Sequence, residues 1–170
     1  MILKVIELMY NHTYRLERET LLPVSLEEAW TFFSDPANLA VITPPELNFR
    51  IKTTLAPGEF YEGLQIVYTV QPIAGIPLRW VSRIVEVEMY KQFTDIQVAG
   101  PFASWVHLHT FEPIERGVVM RDTLDYRLPL GVPGRFAHWL FVRKQLENIF
   151  NYRSRRIGFL FNARRSAAFQ

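Results

Sequence analysis

The sequence predicts one α+β domain, in which a curved antiparallel β-sheet of six to seven strands wraps around a long C-terminal helix. Two short helices are expected after the first strand. Runs of β-branched and aromatic residues separated by short turns continue up to Pro129. The segment that follows has apolar residues every three or four positions over about seven helical turns. One helix with such a stripe needs a surface to cover, and a curved sheet provides it.

The N-terminal part is predicted to contain the first strand and the two short helices. Residues 13–22, TYRLERETLL, have the composition of a strand that ends at Pro23. The segment SLEEAWTFF begins a helix, because Ser25 and Glu28 have the spacing of a capping box and an apolar stripe follows them. A second short helix is expected in SDPANLAVITPP, where the Pro–Pro pair ends it.

The remaining strands and the long helix follow in order. The predicted strands are FRIKT, GLQIVYTV, PLRWVSRIVEVE, QFTDIQV, ASWVHLHTFEP and VVMRDTLDYRLP. Their short connections favour an antiparallel meander over a succession of βαβ units. The segment GRFAHWLFVRKQLENIFNYRSRRIGFLF is expected to be one long amphipathic helix. Its apolar stripe consists of Phe136, Trp139, Leu140, Leu146, Ile149, Phe150, Ile157 and Leu160.

Composition supports a single folded domain and excludes several functions. The chain has 170 residues, of which 49% are hydrophobic and 14% aromatic, and it has no cysteine. Disulfides, thiolate nucleophiles and cysteine-based zinc sites are therefore excluded. We recognise no signal peptide or membrane span and expect a soluble, cytoplasmic protein. Residues 13–161 are assigned to the domain, residues 1–12 to an N-terminal extension and residues 162–170 to a basic tail.

The net charge of +2 conceals a basic C-terminal segment. Residues 131–170 contain eight Lys or Arg residues and one acidic residue, Glu147. We interpret this segment as a solvated helix face; docking of the basic terminus on a partner or an anionic surface is the alternative. No aromatic-interleaved nucleic-acid motif accompanies it, so no nucleic-acid partner is expected.

The order of strand, two helices, antiparallel meander and long helix resembles the SRPBCC superfamily. Its helix-grip fold occurs in START lipid-binding domains, birch-pollen-type allergens and aromatase/cyclase-like polyketide proteins. FFSDPANLAVITPP, GIPLRW, GPFASWVHLHTFEP, MRDTLDYRLP and IFNYR are similar to segments of small bacterial ligand-binding members. The resemblance covers residues 13–161 and implies a deep cavity between the concave sheet face and the long helix. It leaves the function open, since this fold serves carriers, receptors and cyclases.

Alternation along the strands predicts which side chains face this cavity. In the last strand, Arg121, Asp125 and Arg127 suit the solvent side, so Asp122 points inward. In SWVHLHTF, two bulky aromatic residues favour inward placement of their face, which includes both histidines. In QFTDIQV, alternation does not decide between the face of Phe93, Asp95 and Gln97 and the opposite face, and we adopt the first. The predicted ligand-binding residues are Trp80, Ser82, Asp95, Gln97, Trp105, His107, His109, Phe111, Met120, Asp122, Leu124 and Tyr126 on the strands, and Phe136, Leu140, Arg143 and Phe150 on the helix.

Two basic residues fall on the apolar side of the predicted helix. At 100° per residue, Arg143 lies near the middle of the stripe and Arg153 lies inside its edge. A buried guanidinium needs a partner. One interpretation is an internal ion pair of Arg143 with Glu147, or with an acid across the cavity. The other is that Arg143 anchors a ligand carboxylate or phosphate.

The two histidines permit three kinds of chemistry. A His-x-His pair can supply two metal ligands, with an inward Asp as a third, but no third histidine or HExxH spacing accompanies it, so we predict no metal site. His107, His109 and Asp122 are the catalytic candidates if a histidine acts as the general acid or base of a cyclase or dehydratase. We favour a polar network that binds a small hydrophobic or amphipathic ligand without a cofactor. The sequence leaves a homodimer open.

Overall fold

The computed structural model describes residues 12–56, 58–73 and 75–167. These residues form one antiparallel sheet of seven strands, which confirms the predicted α+β class. The strands are β1 (Tyr14–Leu22), β2 (Arg50–Ile51), β3 (Gln65–Ile73), β4 (Ile76–Glu88), β5 (Gln92–Ala99), β6 (Ser104–Ile114) and β7 (Gly117–Arg127). Their order in the sheet is β1-β7-β6-β5-β4-β3-β2. Strands β2 to β7 therefore form a meander, and β1 pairs with β7 at one edge of the sheet.

The helices precede and follow the meander as predicted. They are α1 (Leu26–Phe33), α2 (Ala37–Val41), α3 (Gly131–Ala137) and α4 (Arg143–Ala167), with a 3₁₀ turn at Pro45–Leu47 and a π-helical segment at His138–Val142. The capping box of α1 is confirmed. The Glu28 backbone donates to Ser25 Oγ at 3.2 Å, and the Ser25 backbone donates to Glu28 Oε2 at 3.1 Å. No helix in the described part of the chain is long and apolar enough to span a membrane.

Alternation in β6 and β7 places one face of the sheet against α1 and α4. Phe111 of β6 and Met120 of β7 pack in a core cluster with Trp30 of α1 and Ile157 of α4. A second cluster joins Leu16, Leu124 and Tyr126 of the sheet to Leu146 and Phe150 of α4. The inner face predicted for these two strands is therefore confirmed, and α4 covers it.

The predicted stripe of the long helix holds only in α4. Leu146, Phe150 and Ile157 are buried, but Phe136 is 61% and Leu140 53% exposed. The π-helical segment lies between these two groups. A π turn bonds residue i to i+5 and inserts extra residues, so the face before it rotates away from the face predicted at 100° per residue.

The inward placement predicted for Phe136 and Leu140 is therefore wrong. That predicted for Arg143, the first residue of α4, is also wrong. The rotation buries His138 in their place. Its Nε2 lies 2.8 Å from the hydroxyl of Tyr126 on β7. The side chain of Arg143 is 72% exposed and pairs on the surface with Glu147, at 3.0 Å between Nε and Oε1.

The predicted terminal segments are only partly described. Residues 1–11 of the expected extension and residues 168–170 of the expected tail lie outside the described residues. The helical backbone of α4 continues to Ala167, so most of the predicted tail, residues 162–170, belongs to the long helix.

Two glycines with positive φ allow a test of the β1–β7 junction. Gly117, at the start of β7, has a φ of +138°, and a Cβ there would lie 2.0 Å from the carbonyl oxygen of Leu22. Gly63 has a φ of +96°, but a Cβ there would meet no atom within 4 Å. We expect Gly63→Ala to lower the free energy of unfolding by about 1–3 kcal/mol through backbone strain. Gly117→Ala should lower it further through the added clash. Equal effects of both variants in urea titrations would contradict the close approach of β7 to Leu22.

Candidate functional site

A cavity of about 120 Å³ lies between the inner face of the sheet and helices α1, α2 and α4. Most of its wall is apolar and includes Phe33, Leu39 and Ile66. The polar end is formed by Asp95, His107, His109, Ser82, Tyr68 and Arg153, and Asp35 and Asn38 also line the cavity from the side of α1 and α2. A largely apolar wall with a few polar groups is typical of a small-molecule site.

The strand register brings two histidines and two aspartates together under this cavity. Asp95 of β5 lies directly opposite His107 of β6, and His109 of β6 lies directly opposite Asp122 of β7. All four side chains point to the inner face. The structure thus unites the three catalytic candidates, His107, His109 and Asp122, with Asp95 in one buried group, which we call the His–Asp cluster.

Each histidine of the His–Asp cluster contacts both aspartates. His107 has Nε2 3.1 Å from Asp122 Oδ1 and Nδ1 3.7 Å from Asp95 Oδ2. His109 has Nδ1 2.7 Å from Asp122 Oδ1 and Nε2 3.4 Å from Asp95 Oδ2. The two imidazole centroids are 3.9 Å apart. Four ionisable groups therefore form a closed ring of contacts.

The hydrogen-bonding capacity of the His–Asp cluster is not fully met by neutral histidines. A neutral imidazole has one N–H, yet both nitrogens of each ring face carboxylate oxygens here. The contacts of His107 with Asp122 and of His109 with Asp95 have hydrogen-bond geometry. His109 Nδ1 is buried without an aligned acceptor despite its short distance to Asp122. Additional positive charge between the carboxylates, from protons or a cation, would satisfy the carboxylate oxygens that now face imidazole nitrogens without a proton.

The pKa values in the cluster are shifted in different directions. Burial alone would raise the pKa of Asp122 and of Asp95, but the adjacent histidines hold both below the usual range. Burial lowers the pKa of His107, and the charge of His109 lowers it further. Burial also opposes charge on His109, but the adjacent carboxylates of Asp122 and Asp95 outweigh it and raise the pKa of His109. The positive charge is therefore held mainly by His109.

A neighbouring hydroxyl network holds the Asp95 side of the cluster. Ser82 Oγ donates to Asp95 Oδ1 at 3.4 Å and accepts from Trp80 Nε1 at 3.2 Å. The Tyr68 hydroxyl lies 3.2 Å from Ser82 Oγ. Burial raises the pKa of Tyr68, so its hydroxyl stays protonated. The inward placement predicted for Trp80 and Ser82 is confirmed.

Arg153 of α4 brings a cationic side chain to the same cavity. Its guanidinium carbon lies 5.2 Å from the ring centroid of Phe150. Its Nε is buried and has no hydrogen-bond partner among the described residues. The charge of Arg153 also contributes to lowering the pKa of Asp95. The structure thus places Arg153, not Arg143, where a ligand anchor was expected.

Other predicted residues lie outside the cavity. The Gln97 amide clamps a loop by donating to the Phe102 carbonyl at 2.7 Å and accepting from its N–H at 3.2 Å. A further set is buried in the core clusters without lining this cavity: Phe111, Met120, Leu124, Tyr126 and Phe150.

Sequence reasoning missed the cavity walls contributed by helices and by β3. Phe33 and Leu39 come from α1 and α2, for which no inward face toward a cavity was predicted. Ile66 and Tyr68 lie on β3, and the alternation rule used for the later strands would have paired them on one face. Tyr68 was therefore within reach of the sequence pattern, whereas the helical wall depends on tertiary packing.

A second cavity of about 290 Å³ lies beside the first and is lined almost entirely by apolar side chains. Its wall includes Val70 and Trp80 of the sheet and Phe141 and Ile149 of the C-terminal helical run. Trp105 of β6 lines both cavities. The indole of Trp105 therefore stands between a small cavity with a charged end and a larger apolar one.

Comparison with known proteins identifies the fold. No family model and no curated protein sequence matches the chain. A START superfamily protein from Mycobacterium smegmatis aligns over 90% of this chain and 99% of its own, with 17% identity and a TM-score of 0.64. A protein from Chromobacterium violaceum aligns over 88% and 97%, with 15% identity and a TM-score of 0.63. A nucleoside-diphosphate sugar epimerase from Corynebacterium glutamicum shares 22% identity and a TM-score of 0.59, over 84% of this chain but only 28% of the epimerase.

These likenesses define the class of structure. The chain has the START-like helix-grip fold, as the resemblance in the sequence predicted. At such identities the match concerns the fold alone, so the function has to be inferred from the site itself.

Two aspartates of β7 allow a matched test of the His–Asp cluster. Asp122 is buried between two histidines, whereas Asp125 is on the outer face and pairs with Arg15 at 2.6 Å. We expect Asp122→Asn to lower the free energy of unfolding by about 3–5 kcal/mol, because it leaves buried polar groups without their counter-charge. Asp125→Asn should cost less than about 1 kcal/mol. Urea unfolding of both variants measures the difference, and similar small losses would contradict the buried charge network.

Proposed function

We propose that this protein binds or carries a small to medium hydrophobic ligand in its interior, with the His–Asp cluster and Arg153 orienting a polar or acidic group of that ligand. The observation that supports this most directly is an apolar cavity with a charged end, where the buried Nε of Arg153 lacks a partner. A buried donor without an acceptor is unfavourable. A ligand oxygen in the cavity would satisfy it.

The cavity dimensions support a compact polar end on such a ligand. The cavity of about 120 Å³ is slightly smaller than the engineered apolar cavity of about 150 Å³ that holds benzene in another protein. A ring-sized group therefore fits without rearrangement. A longer apolar body would extend into the second cavity of about 290 Å³ past Trp105.

A second candidate function is that of a cofactor-independent cyclase or dehydratase. It is favoured by the two imidazoles, which line the cavity and are each held by two carboxylates. A histidine oriented by a carboxylate is the usual arrangement of a general acid or base. His107 or His109 would then transfer a proton to or from the bound ligand.

The ligand itself is the first test. We expect mass spectrometry of the denatured, freshly purified protein to reveal a hydrophobic molecule with at least one polar or acidic group. That molecule should rebind to ligand-free protein and be recovered unchanged if the protein is a carrier. Conversion to a product that is abolished in His107→Gln and His109→Gln would establish the enzymatic alternative instead. Absence of any co-purifying or rebinding hydrophobic molecule would contradict both.

The anchoring role of Arg153 can be tested with a matched pair of probes. Benzoate carries a ring and a carboxylate, and toluene carries the ring without the charge. We expect Arg153→Gln to weaken benzoate binding by at least about tenfold, because a hydrogen bond to a charged group contributes about 1.5–3 kcal/mol. Toluene binding should change little.

Arg143→Gln is the matched control for this test. Arg143 has the same side chain, lies on the same helix and pairs with Glu147 on the surface. Its replacement should leave the binding of both probes unchanged in calorimetric titrations. A loss of benzoate binding in Arg143→Gln but not in Arg153→Gln would reverse the assignment.

A further inference from the structure

We propose that Asp95, His107 and His109 form a binding site for a divalent transition-metal ion, with zinc as the expected ion. One carboxylate oxygen and one nitrogen from each imidazole lie within 4.8 Å of one another. The inference goes beyond the proposed function, because these donors can hold a cation whether or not an organic ligand is present. It also departs from the expectation of no metal, which rested on the missing third histidine.

The distances between the donor atoms fit a small cation. His107 Nδ1 lies 3.7 Å and His109 Nε2 lies 3.4 Å from the same oxygen, Oδ2 of Asp95. A tetrahedral zinc ion with bonds of about 2.0–2.2 Å separates its ligand atoms by about 3.3–3.6 Å. The two carboxylate–imidazole spacings therefore already approach those of a zinc site, and the two ring nitrogens lie within 4.8 Å of each other. Two imidazoles and one carboxylate are also ligands that zinc and similar first-row metals accept.

Asp122 orients the imidazole of His107 through a hydrogen bond and lies close to Nδ1 of His109, which has no aligned acceptor. Its Oδ1 lies 3.1 Å from His107 Nε2 and 2.7 Å from His109 Nδ1, on the side of each ring away from Asp95. Protons on these two nitrogens leave the lone pairs of His107 Nδ1 and His109 Nε2 directed toward Asp95. A carboxylate behind a histidine is the usual support of a metal-bound imidazole, because it sets the tautomer and the ring orientation.

The charge balance also accommodates a divalent ion. Once an ion has displaced the proton from His109 and both histidines are neutral, the carboxylates of Asp95 and Asp122 contribute a charge of −2, and their low exposure makes such a charge costly without a cation. One divalent cation neutralises it and occupies the region where two imidazole lone pairs would otherwise face a carboxylate. Arg153, at the same polar end of the cavity, opposes cation binding but favours an anionic fourth ligand.

All three donor residues line the cavity, so a fourth ligand could reach the ion from it. Ser82 Oγ is 3.4 Å from the other oxygen of Asp95, so it holds the carboxylate and leaves Oδ2 for the metal. Three protein ligands with one open position are typical of zinc sites that bind water or a substrate, and not of closed structural sites. An oxygen of the cavity ligand could complete the coordination.

The test uses the full-length chain without an affinity tag, stripped with EDTA and then titrated with ZnCl₂ alone. We expect one equivalent of zinc per chain by elemental analysis after dialysis, and an increase in Tm on zinc addition. Co²⁺ as a substitute should give the visible absorption bands of a four-coordinate site. Less than about one tenth of an equivalent bound to the wild-type chain would overturn the proposal, whatever the variants do.

Three histidine variants separate this site from adventitious binding. His107→Gln and His109→Gln should each weaken zinc binding more than about tenfold, because losing even a partner that only orients a ligating histidine costs about 10–100-fold. His138→Gln is the matched control, since His138 is also buried but bonds to Tyr126 away from the cluster. It should bind one equivalent as the wild type does.

Circular dichroism checks that each variant is folded, and Asp95→Asn tests the third ligand where a histidine variant is not. Zinc binding that persists unchanged in His107→Gln and His109→Gln would show that the ion binds elsewhere and would overturn the proposal. Zinc binding in protein that yields no organic ligand supports the metal site and contradicts only the proposed function. The two inferences can therefore fail separately.

Discussion

The buried contacts between two carboxylates and two imidazoles constrain much of this structure. Asp95, His107, His109 and Asp122 come from three adjacent strands, and their contacts depend on one register of β5, β6 and β7. A shift of one residue would turn these side chains to the outer face of the sheet and bring the side chains that now face outward to the inner face. Because an unpaired buried charge is strongly unfavourable, the ring of contacts and the register support each other. The cavity is built over the same patch of sheet.

The sequence predicted the inward placement of His107, His109 and Asp122 because the alternation rule has a short range and few exceptions within regular strands. It did not decide the inner face of the strand that carries Asp95. In β7, three charged residues belong on the outer face, so Asp122 has to point inward. In β6, both histidines share one face of the strand with two aromatic residues that require burial. Both decisions need only the residues of one strand. The pairing of Asp95 with His107 follows once the strands are aligned, which the sequence alone does not determine.

The helix was less predictable because one irregular segment changes every position before it. Arg143 and Arg153 both fell on the apolar side under a regular 100° rotation, but Arg143 is the first residue of α4, directly after the π-helical segment, whereas Arg153 lies about three turns further along the same helix. Arg143 lies at the N-terminal end of α4, before its buried residues, and its side chain is exposed to solvent. The side chain of Arg153 lines the cavity. The cavity wall formed by α1 and α2 could not be predicted for a similar reason. Short helices take their orientation from tertiary packing, which hydrophobic periodicity does not specify.

In the proposed function, the charged end and the apolar wall would contribute to ligand recognition in different ways. Apolar contacts discriminate weakly between ligands that differ by one methylene, whereas polar groups that become unpaired discriminate strongly. The selectivity of the cavity should therefore reside in the His–Asp cluster and Arg153, and Trp105 should govern how far an apolar body extends. The protonation or metal content of the cluster then acts on ligand choice. Positive charge placed between Asp95 and Asp122 favours an anionic group above it. Since binding free energies are reciprocal, an anionic ligand must in turn favour that positive charge by the same amount.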